Sequence, residues 1–125
     1  MCQQKLYLQD CGLTTDLLLR TNFQAKYVNL ACNQICDNAA PMIARLFQSC
    51  TELDLSGNRF SDKLVQRCLV ELDEGPCELV TLNLEFSGVG PRGLSLLCTA
   101  LETHLVKLEE VVSEVVCEEL VSLIY

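Results

Sequence analysis

The sequence predicts an α/β repeat protein, because one pattern of apolar and turn residues recurs four times along the chain. The pattern has two apolar residues at strand spacing, a turn residue three positions later and a further apolar residue two positions after that. Apolar residues at helical spacing follow the copies. Units of about 20–29 residues are typical of stacked arrays, in which each unit buries its apolar side against its neighbours.

The clearest copy is TELDLSGNRFSD, in which Leu53, Leu55, Asn58 and Phe60 hold the four positions. The equivalent sets are Leu6, Leu8, Cys11 and Leu13; Val28, Leu30, Asn33 and Ile35; and Leu82, Leu84, Ser87 and Val89. The copies therefore begin at residues 6, 28, 53 and 82, in steps of 22, 25 and 29 residues. Because alternate residues of a strand point to opposite sides, the first two positions of every copy are predicted to share one core.

The turn position is predicted to brace the backbone. An asparagine amide can both donate and accept hydrogen bonds, so it can satisfy backbone groups that a turn leaves free. Asn33 and Asn58 are expected to form a short ladder of such bonds, whereas Cys11 and Ser87 can supply part of it.

A helix is predicted after each of the last three turns, and a shorter helical segment after the first. The apolar faces comprise Ala40, Ile43, Leu46 and Phe47; Leu64, Val65, Cys68, Leu69 and Leu72; Leu94, Leu97, Cys98 and Leu101; and, in the short segment, Leu17, Leu18 and Phe23. Ser61 is a predicted N-cap, and Pro41 and Pro91 fit first turns, where a missing N–H costs nothing.

The repeated pattern resembles L-x-L-x-x-N/C-x-L of the leucine-rich repeat family, over roughly residues 3–103. A full helix in each repeat is similar to the ribonuclease-inhibitor-like class. The resemblance implies an α/β solenoid, a short right-handed horseshoe segment with parallel strands on its concave face and helices on its convex face. Four repeats are assigned, at about 3–24, 25–49, 50–78 and 79–103, within residues 1–103.

Residues 104–125 are predicted to form a C-terminal capping helix or a degenerate fifth repeat. Aligning Leu108 with Leu82 puts Glu110 where Leu84 should be, so a fifth copy fails in that frame. The segment instead places Leu108, Val112, Val115 or Val116, Leu120 and Leu123 at roughly helical steps. A Val-rich strand pair is the alternative.

Composition disfavours several function classes. The net charge is −8, with net +1 over residues 1–50 and net −9 over residues 51–125, which does not suit binding to a phosphate backbone. No apolar run approaches the roughly 20 residues of a membrane helix, and the N-terminus lacks a secretory pattern. We therefore expect no nucleic-acid or membrane partner. The acidic charge is compatible with a basic protein partner. The alternative explanation of the acidic residues is that they lie on solvated outer faces of the protein.

The cysteines and the lone histidine give no sign of catalysis. The nine cysteines are odd in number, follow the repeat frame and lack zinc-like spacing, which favours free thiols in a reducing cytoplasmic or nuclear compartment. His104 is the single histidine, and no catalytic triad can be assembled around it. No enzyme activity, metal or cofactor is expected.

The resemblance implies a partner-binding concave face, on which the outward strand residues lie. The candidates are Tyr7, Tyr27, Asn29, Glu52, Asp54, Ser56, Asn83 and Glu85, with the two tyrosines as anchors. The predicted function is a non-enzymatic module that binds a protein through this face. The alternatives are a regulator of a small GTPase, of the activating-protein type, and an N-terminally truncated tail of a larger receptor or scaffold. Because no cap precedes Leu6, end-to-end self-association is a further expectation.

Overall fold

A computed structural model of the chain describes residues 5–19, 25–72, 77–101 and 103–115. Five short strands form one open parallel sheet whose spatial order follows the order of the chain. The strands are β1 (Lys5–Tyr7), β2 (Tyr27–Asn29), β3 (Glu52–Asp54), β4 (Thr81–Asn83) and β5 (Glu110–Val112). The α/β repeat architecture predicted from the sequence is therefore confirmed.

Helices connect the strands, as parallel neighbours require. They are α1 (Thr15–Leu19), a 3₁₀ turn (Asp37–Ala39) that leads into α2 (Ala40–Ser49), α3 (Asp62–Glu71) and α4 (Pro91–Ala100). The hydroxyl of Ser61 accepts a hydrogen bond from the Lys63 N–H at 3.2 Å, so Ser61 is the N-cap of α3, as predicted. The α1 segment has five residues, matching the shorter first repeat.

The core lies between the sheet and the helices, and the repeat frame defines it. The central strand positions Val28, Leu53, Leu82 and Val111 pair with one another in register and are all buried. Leu6 and Leu8 of the first repeat are only partly buried, because β1 is the edge strand of the described sheet. The burial of every second strand residue agrees with the period-two pattern of the sequence.

The frame predicted for the tail is wrong. Val111, rather than Leu108, pairs with Leu82, and Leu108 is buried at the position equivalent to Leu79. The step from Leu82 to Val111 is 29 residues, the same as the step from Leu53 to Leu82, so the loop is three residues longer than the frame assumed.

The described part of the tail forms a strand where an amphipathic helix was expected. The Leu84 N–H donates to the Val112 carbonyl at 2.8 Å, and the Glu110 N–H donates to the Val80 carbonyl at 3.1 Å. The open edge of β4 thus supplies backbone partners for a Val-rich segment, which favours a strand over a helix. The remaining positions of that expected helix, Val116, Leu120 and Leu123, lie outside the described residues.

A ladder of asparagine side chains links each of the first two repeats to the next. The Asn33 Oδ1 accepts from the Cys11 and Leu13 N–H groups at 3.1 and 2.8 Å, while its Nδ2 donates to the Leu8 carbonyl at 3.0 Å. Asn58 repeats the arrangement one unit later, accepting from Ile35 and donating to Leu30. Each amide therefore reaches back to the preceding repeat.

Ser87 ends this ladder because its side chain is too short to reach the preceding repeat. Its hydroxyl donates to the Leu84 carbonyl of its own repeat at 2.7 Å. The contact with the third repeat is made by the backbone, where the Phe60 N–H donates to the Ser87 carbonyl at 2.9 Å. Gly88, with φ +97°, lies directly against the Phe60 carbonyl group.

A second ladder of side-chain hydrogen bonds links each repeat to the one that follows it. Its acceptor is the residue four positions after the turn residue of each repeat. Thr15 accepts from the Cys36 N–H at 3.0 Å, and the Asp37 carboxylate accepts from the Ser61 N–H at 2.9 Å. Asp62 accepts from the N–H groups of Gly90 and Gly93, at 2.6 and 3.0 Å, and so caps α4. The equivalent residue of the fourth repeat is Pro91, whose side chain cannot accept a hydrogen bond, so this ladder ends at α4.

Candidate functional site

The sheet surface opposite the helices, here called the concave face, carries the residues predicted to bind a partner. Strand register arranges them in rows that cross the sheet. The first row contains Lys5, Tyr27, Glu52, Thr81 and Glu110, and the second contains Tyr7, Asn29, Asp54, Asn83 and Val112. Ser56 and Glu85 follow the ends of β3 and β4 in a third row. The sheet thus brings the eight candidates onto one surface.

Tyr7 and Tyr27 form an aromatic pair at the β1 end of the concave face. Their ring centroids are 5.2 Å apart and the ring planes are inclined by 42°. Tyr7 is 57% exposed although it is a large side chain, and Tyr27 is half-buried. An exposed, mutually packed aromatic pair offers apolar area together with hydroxyl groups, which is typical of binding hot spots.

Asn29, Asp54 and Asn83 have a structural role that sequence reasoning missed. Each side chain accepts a hydrogen bond from the backbone N–H two residues later, at 3.0, 3.0 and 2.9 Å, and so closes the end of its strand. Asp54 also accepts from the Ser56 hydroxyl at 2.6 Å. The signal was present as Asn or Asp at the same position of three consecutive repeats, a residue type that favours such local turns.

Carboxylates dominate the charge of the concave face. Glu52, Asp54, Glu85 and Glu110 lie on it, with Lys5 as the described base at the opposite edge. Glu110 is a functional candidate that sequence reasoning missed, because the frame chosen for the tail placed it in the core. The face therefore offers negative charge from β3 to β5 and aromatic surface at β1 and β2.

Phe86 is a further candidate that sequence reasoning missed. It is 70% exposed and has φ +51°, in the left-handed region, next to Glu85 at the carboxyl end of β4. The equivalent positions of the other repeats hold Asp10, Cys32 and Gly57, also at positive φ. A bulky residue is unfavourable in this conformation, and such exceptions concentrate at functional sites.

Glu114 holds the Phe86 turn in place. The Phe86 N–H donates to the Glu114 carboxylate at 2.8 Å. This backbone hydrogen bond lowers the pKa of Glu114, because it stabilises the ionised carboxylate. The loop that carries Phe86 therefore lies beside a further carboxylate, that of Glu114.

A cleft on the convex side could compete with the concave face as a binding site. It has a volume of about 540 Å³ and lies between the start of α2 and the exposed side of α3. Asn38, Lys63, Arg67 and the exposed Val70 line it, and Arg67 donates to Asn38 at 3.2 Å. Its mixed lining of opposite charges and amides does not favour one class of ligand.

Six cysteines of the described ranges are free thiols, namely Cys11, Cys32, Cys36, Cys50, Cys68 and Cys77. Burial raises the pKa of Cys50 to about 11 and raises the pKa of Cys68 and Cys77 as well. A raised pKa keeps a thiol protonated and unreactive at neutral pH. These three cysteines therefore serve the core as small apolar side chains.

No metal-binding arrangement is found within residues 5–19, 25–72, 77–101 and 103–115. No group of three or more His, Cys, Asp or Glu side chains in those ranges could hold a metal ion. His104 lies within 3.0 Å of the hydroxyl of its neighbour Thr103. Among the described helices, none has the length and apolar character needed to cross a membrane.

Comparison with known proteins supports the repeat frame. Two family models described as Leucine Rich Repeat match the chain, one at residues 49–69 and the other at residues 77–98. No curated protein matches it. The matched segments contain β3 with most of α3 and β4 with most of α4, and the other strands continue the same parallel register. The two matched segments are therefore leucine-rich repeats.

Proposed function

We propose that this protein is a non-enzymatic interaction module that binds another protein through its concave face. The observation that carries the proposal is the in-register sheet, which displays an exposed aromatic pair and four carboxylates on a surface that no described element covers. Repeat proteins of this kind generally use their extended strand surface to bind proteins.

The chemistry of the described residues is compatible with this role. The concave face has no group of three or more His, Cys, Asp or Glu among its described residues that could hold a metal ion, whereas aromatic and charged groups are spread over several strands. Spread-out contacts of this type suit a macromolecular partner better than a small substrate, which needs a concave pocket.

Two finer assignments accompany the proposal. The ten-residue helices α2, α3 and α4 support placement in the ribonuclease-inhibitor-like class. The free thiols support a reducing compartment, the cytoplasm or the nucleus.

The test is a double variant, Tyr27→Ala with Asp54→Asn. Asparagine at position 54 keeps the oxygen that accepts from Ser56, as Asn29 and Asn83 do in their own repeats, so the strand end should remain closed. A partner captured from reducing lysate and identified by mass spectrometry should lose affinity for this variant at least tenfold, because both an aromatic anchor and a charge are removed. Calorimetry with the purified partner measures the change.

The matched control is Lys63→Ala with Val70→Ala, which alters the convex cleft and leaves the strands intact. The affinity of this variant should equal that of the wild type. Loss of binding in the control with retention in the concave variant would transfer the binding site to the α2–α3 cleft and refute the proposal.

A further inference from the structure

Charged side chains are distributed unevenly between the two faces of the described repeats. The described helices are nearly balanced, since the bases Arg45, Lys63, Arg67 and Arg92 are accompanied by the acids Asp16, Asp62 and Glu71. On the concave face, four carboxylates are opposed by Lys5 alone within the described residues. The concave face therefore has a net negative charge that does not result simply from the composition of the whole surface.

The concave carboxylates have no cation of their own chain within the described ranges. The ion pair found there joins Lys107 to Glu78 at 2.8 Å, in the loops that precede the strands. Glu52, Asp54, Glu85 and Glu110 take part in no ion pair with a described residue. A ligand with positive charge would supply what this surface lacks, and complementary charge governs which partners can approach and in what orientation.

Aromatic side chains lie next to two of the carboxylates. Tyr27 of the Tyr7–Tyr27 pair is the neighbour of Glu52 across the β2–β3 register, and Phe86 follows Glu85 in the chain and donates its N–H to Glu114. A guanidinium group can stack on an aromatic ring and pair with a carboxylate at the same time, and it is more weakly hydrated than an ammonium group. This combination favours arginine over lysine in the ligand.

We propose that the occupant of the concave face is a cationic, arginine-bearing polypeptide segment of the partner. Its guanidinium groups pair with Glu52, Asp54, Glu85 and Glu110, and its apolar parts pack on Tyr7 and Tyr27. The inference rests on the proposed function, since it specifies the chemistry of the partner at that same face. Nucleic acids and acidic proteins are excluded by like-charge repulsion.

The width of the sheet defines a suitable probe. Five strands at about 4.8 Å spacing span roughly 19 Å, which an extended peptide covers in about six residues. A fluorescein-labelled nonapeptide of alternating Arg and Ala is therefore long enough to cross the face, and the same peptide with Glu in place of Arg is its control. Fluorescence anisotropy should show binding of the Arg peptide at 50 mM salt, weakening at 300 mM, and no binding of the Glu peptide.

Two variants of equal net charge separate a specific face from overall acidity. Glu52→Gln with Glu85→Gln removes two concave carboxylates, whereas Asp16→Asn with Glu71→Gln removes two exposed carboxylates from α1 and α3. Each exposed charge pair changes an affinity by roughly 1.5- to 5-fold, so the concave variant should bind the Arg peptide roughly 2- to 25-fold more weakly. The helix variant should change by less than about 1.5-fold, below the effect of a single exposed pair.

Equal weakening in the two variants would mean attraction to overall charge and would overturn the inference. So would a natural partner that depends on Tyr27 but is insensitive both to salt and to the Glu52 and Glu85 substitutions. In that last case the concave face would still be the binding site, and only the cationic chemistry would be wrong. A partner insensitive to the Tyr27 and Asp54 substitutions would instead remove the proposed function itself.

Discussion

Gly88→Ala should be among the most damaging single-methyl changes in this chain. A β-carbon at Gly88 would overlap the Phe60 carbonyl oxygen and lie 3.0 Å from its carbonyl carbon, and both atoms are backbone. Because backbone cannot rotate away as a side chain can, the third and fourth repeats would have to separate. That separation breaks the hydrogen bond from the Phe60 N–H to the Ser87 carbonyl, which is 2.9 Å long.

The magnitude follows from three contributions. An L residue at positive φ costs roughly 1–2 kcal/mol, the lost hydrogen bond about 1 kcal/mol, and the forced overlap about 1–3 kcal/mol. The free energy of unfolding should therefore fall by roughly 3–6 kcal/mol, less about 0.4–1 kcal/mol regained because alanine makes the unfolded chain stiffer. Urea denaturation followed by circular dichroism measures it.

Gly12→Ala is the matched control, because Gly12 holds the same position of the first repeat. Its φ is +68°, but an added β-carbon would meet no described atom within 4 Å. Only the backbone contribution of roughly 1–2 kcal/mol applies there. If the two variants lost the same free energy within about 0.5 kcal/mol, the close approach of the third and fourth repeats would be refuted, since that contact is what distinguishes them.

Three further changes test the ladders, the strained turn and the buried thiols. Asp62→Ala removes the acceptor of two backbone N–H groups, so the free energy of unfolding measured by urea denaturation should fall by about 1–2 kcal/mol. Asp62→Asn keeps an acceptor oxygen and should retain most of the stability. Equal losses in the two variants would contradict the cap on α4. Phe86→Asn should raise the free energy of unfolding by about 0.5–1 kcal/mol, because asparagine tolerates positive φ, and should weaken binding of the Arg peptide; a destabilised variant would show that Phe86 is not strained. Stability should fall from pH 9 towards pH 11, since the folded pKa of Cys50 is raised from 9.0 to about 11 and the unfolded chain then releases its proton first. Cys50→Ala should reduce that fall in thermal melts, and an unchanged pH dependence would contradict the buried thiol.

The register of the sheet could be predicted from the sequence because its cause is local. Leu53 and Leu55 are buried and alternate with exposed or partly buried residues, and the same alternation at Val28 and Leu82 allows only one alignment that keeps every apolar residue inside. The outward rows follow from the inward ones. Tyr27, Glu52 and Thr81 therefore lie side by side, as the period-two pattern predicts.

Features that depend on stacking geometry could not be predicted in this way. Asp62 caps α4 from the preceding repeat, a contact between residues 28 and 31 positions apart that no local pattern encodes. The frame of the fifth strand was predicted wrongly because loop length, and not apolar pattern, decides whether Leu108 or Val111 aligns with Leu82. Phe86 becomes conspicuous only after the frame shows that Asp10, Cys32 and Gly57 share its position.

Mapping of amide chemical shifts with a bound ligand tests most directly whether the concave face is the binding surface. The ¹⁵N-labelled chain is titrated with the arginine nonapeptide and then with the captured partner. We predict that the perturbed amides cluster at Tyr27, Asp54 and Glu85 and leave Gln66 and Arg67 of α3 unchanged. Perturbations centred on the α2–α3 cleft, with the strand amides unaffected, would contradict binding through the concave face.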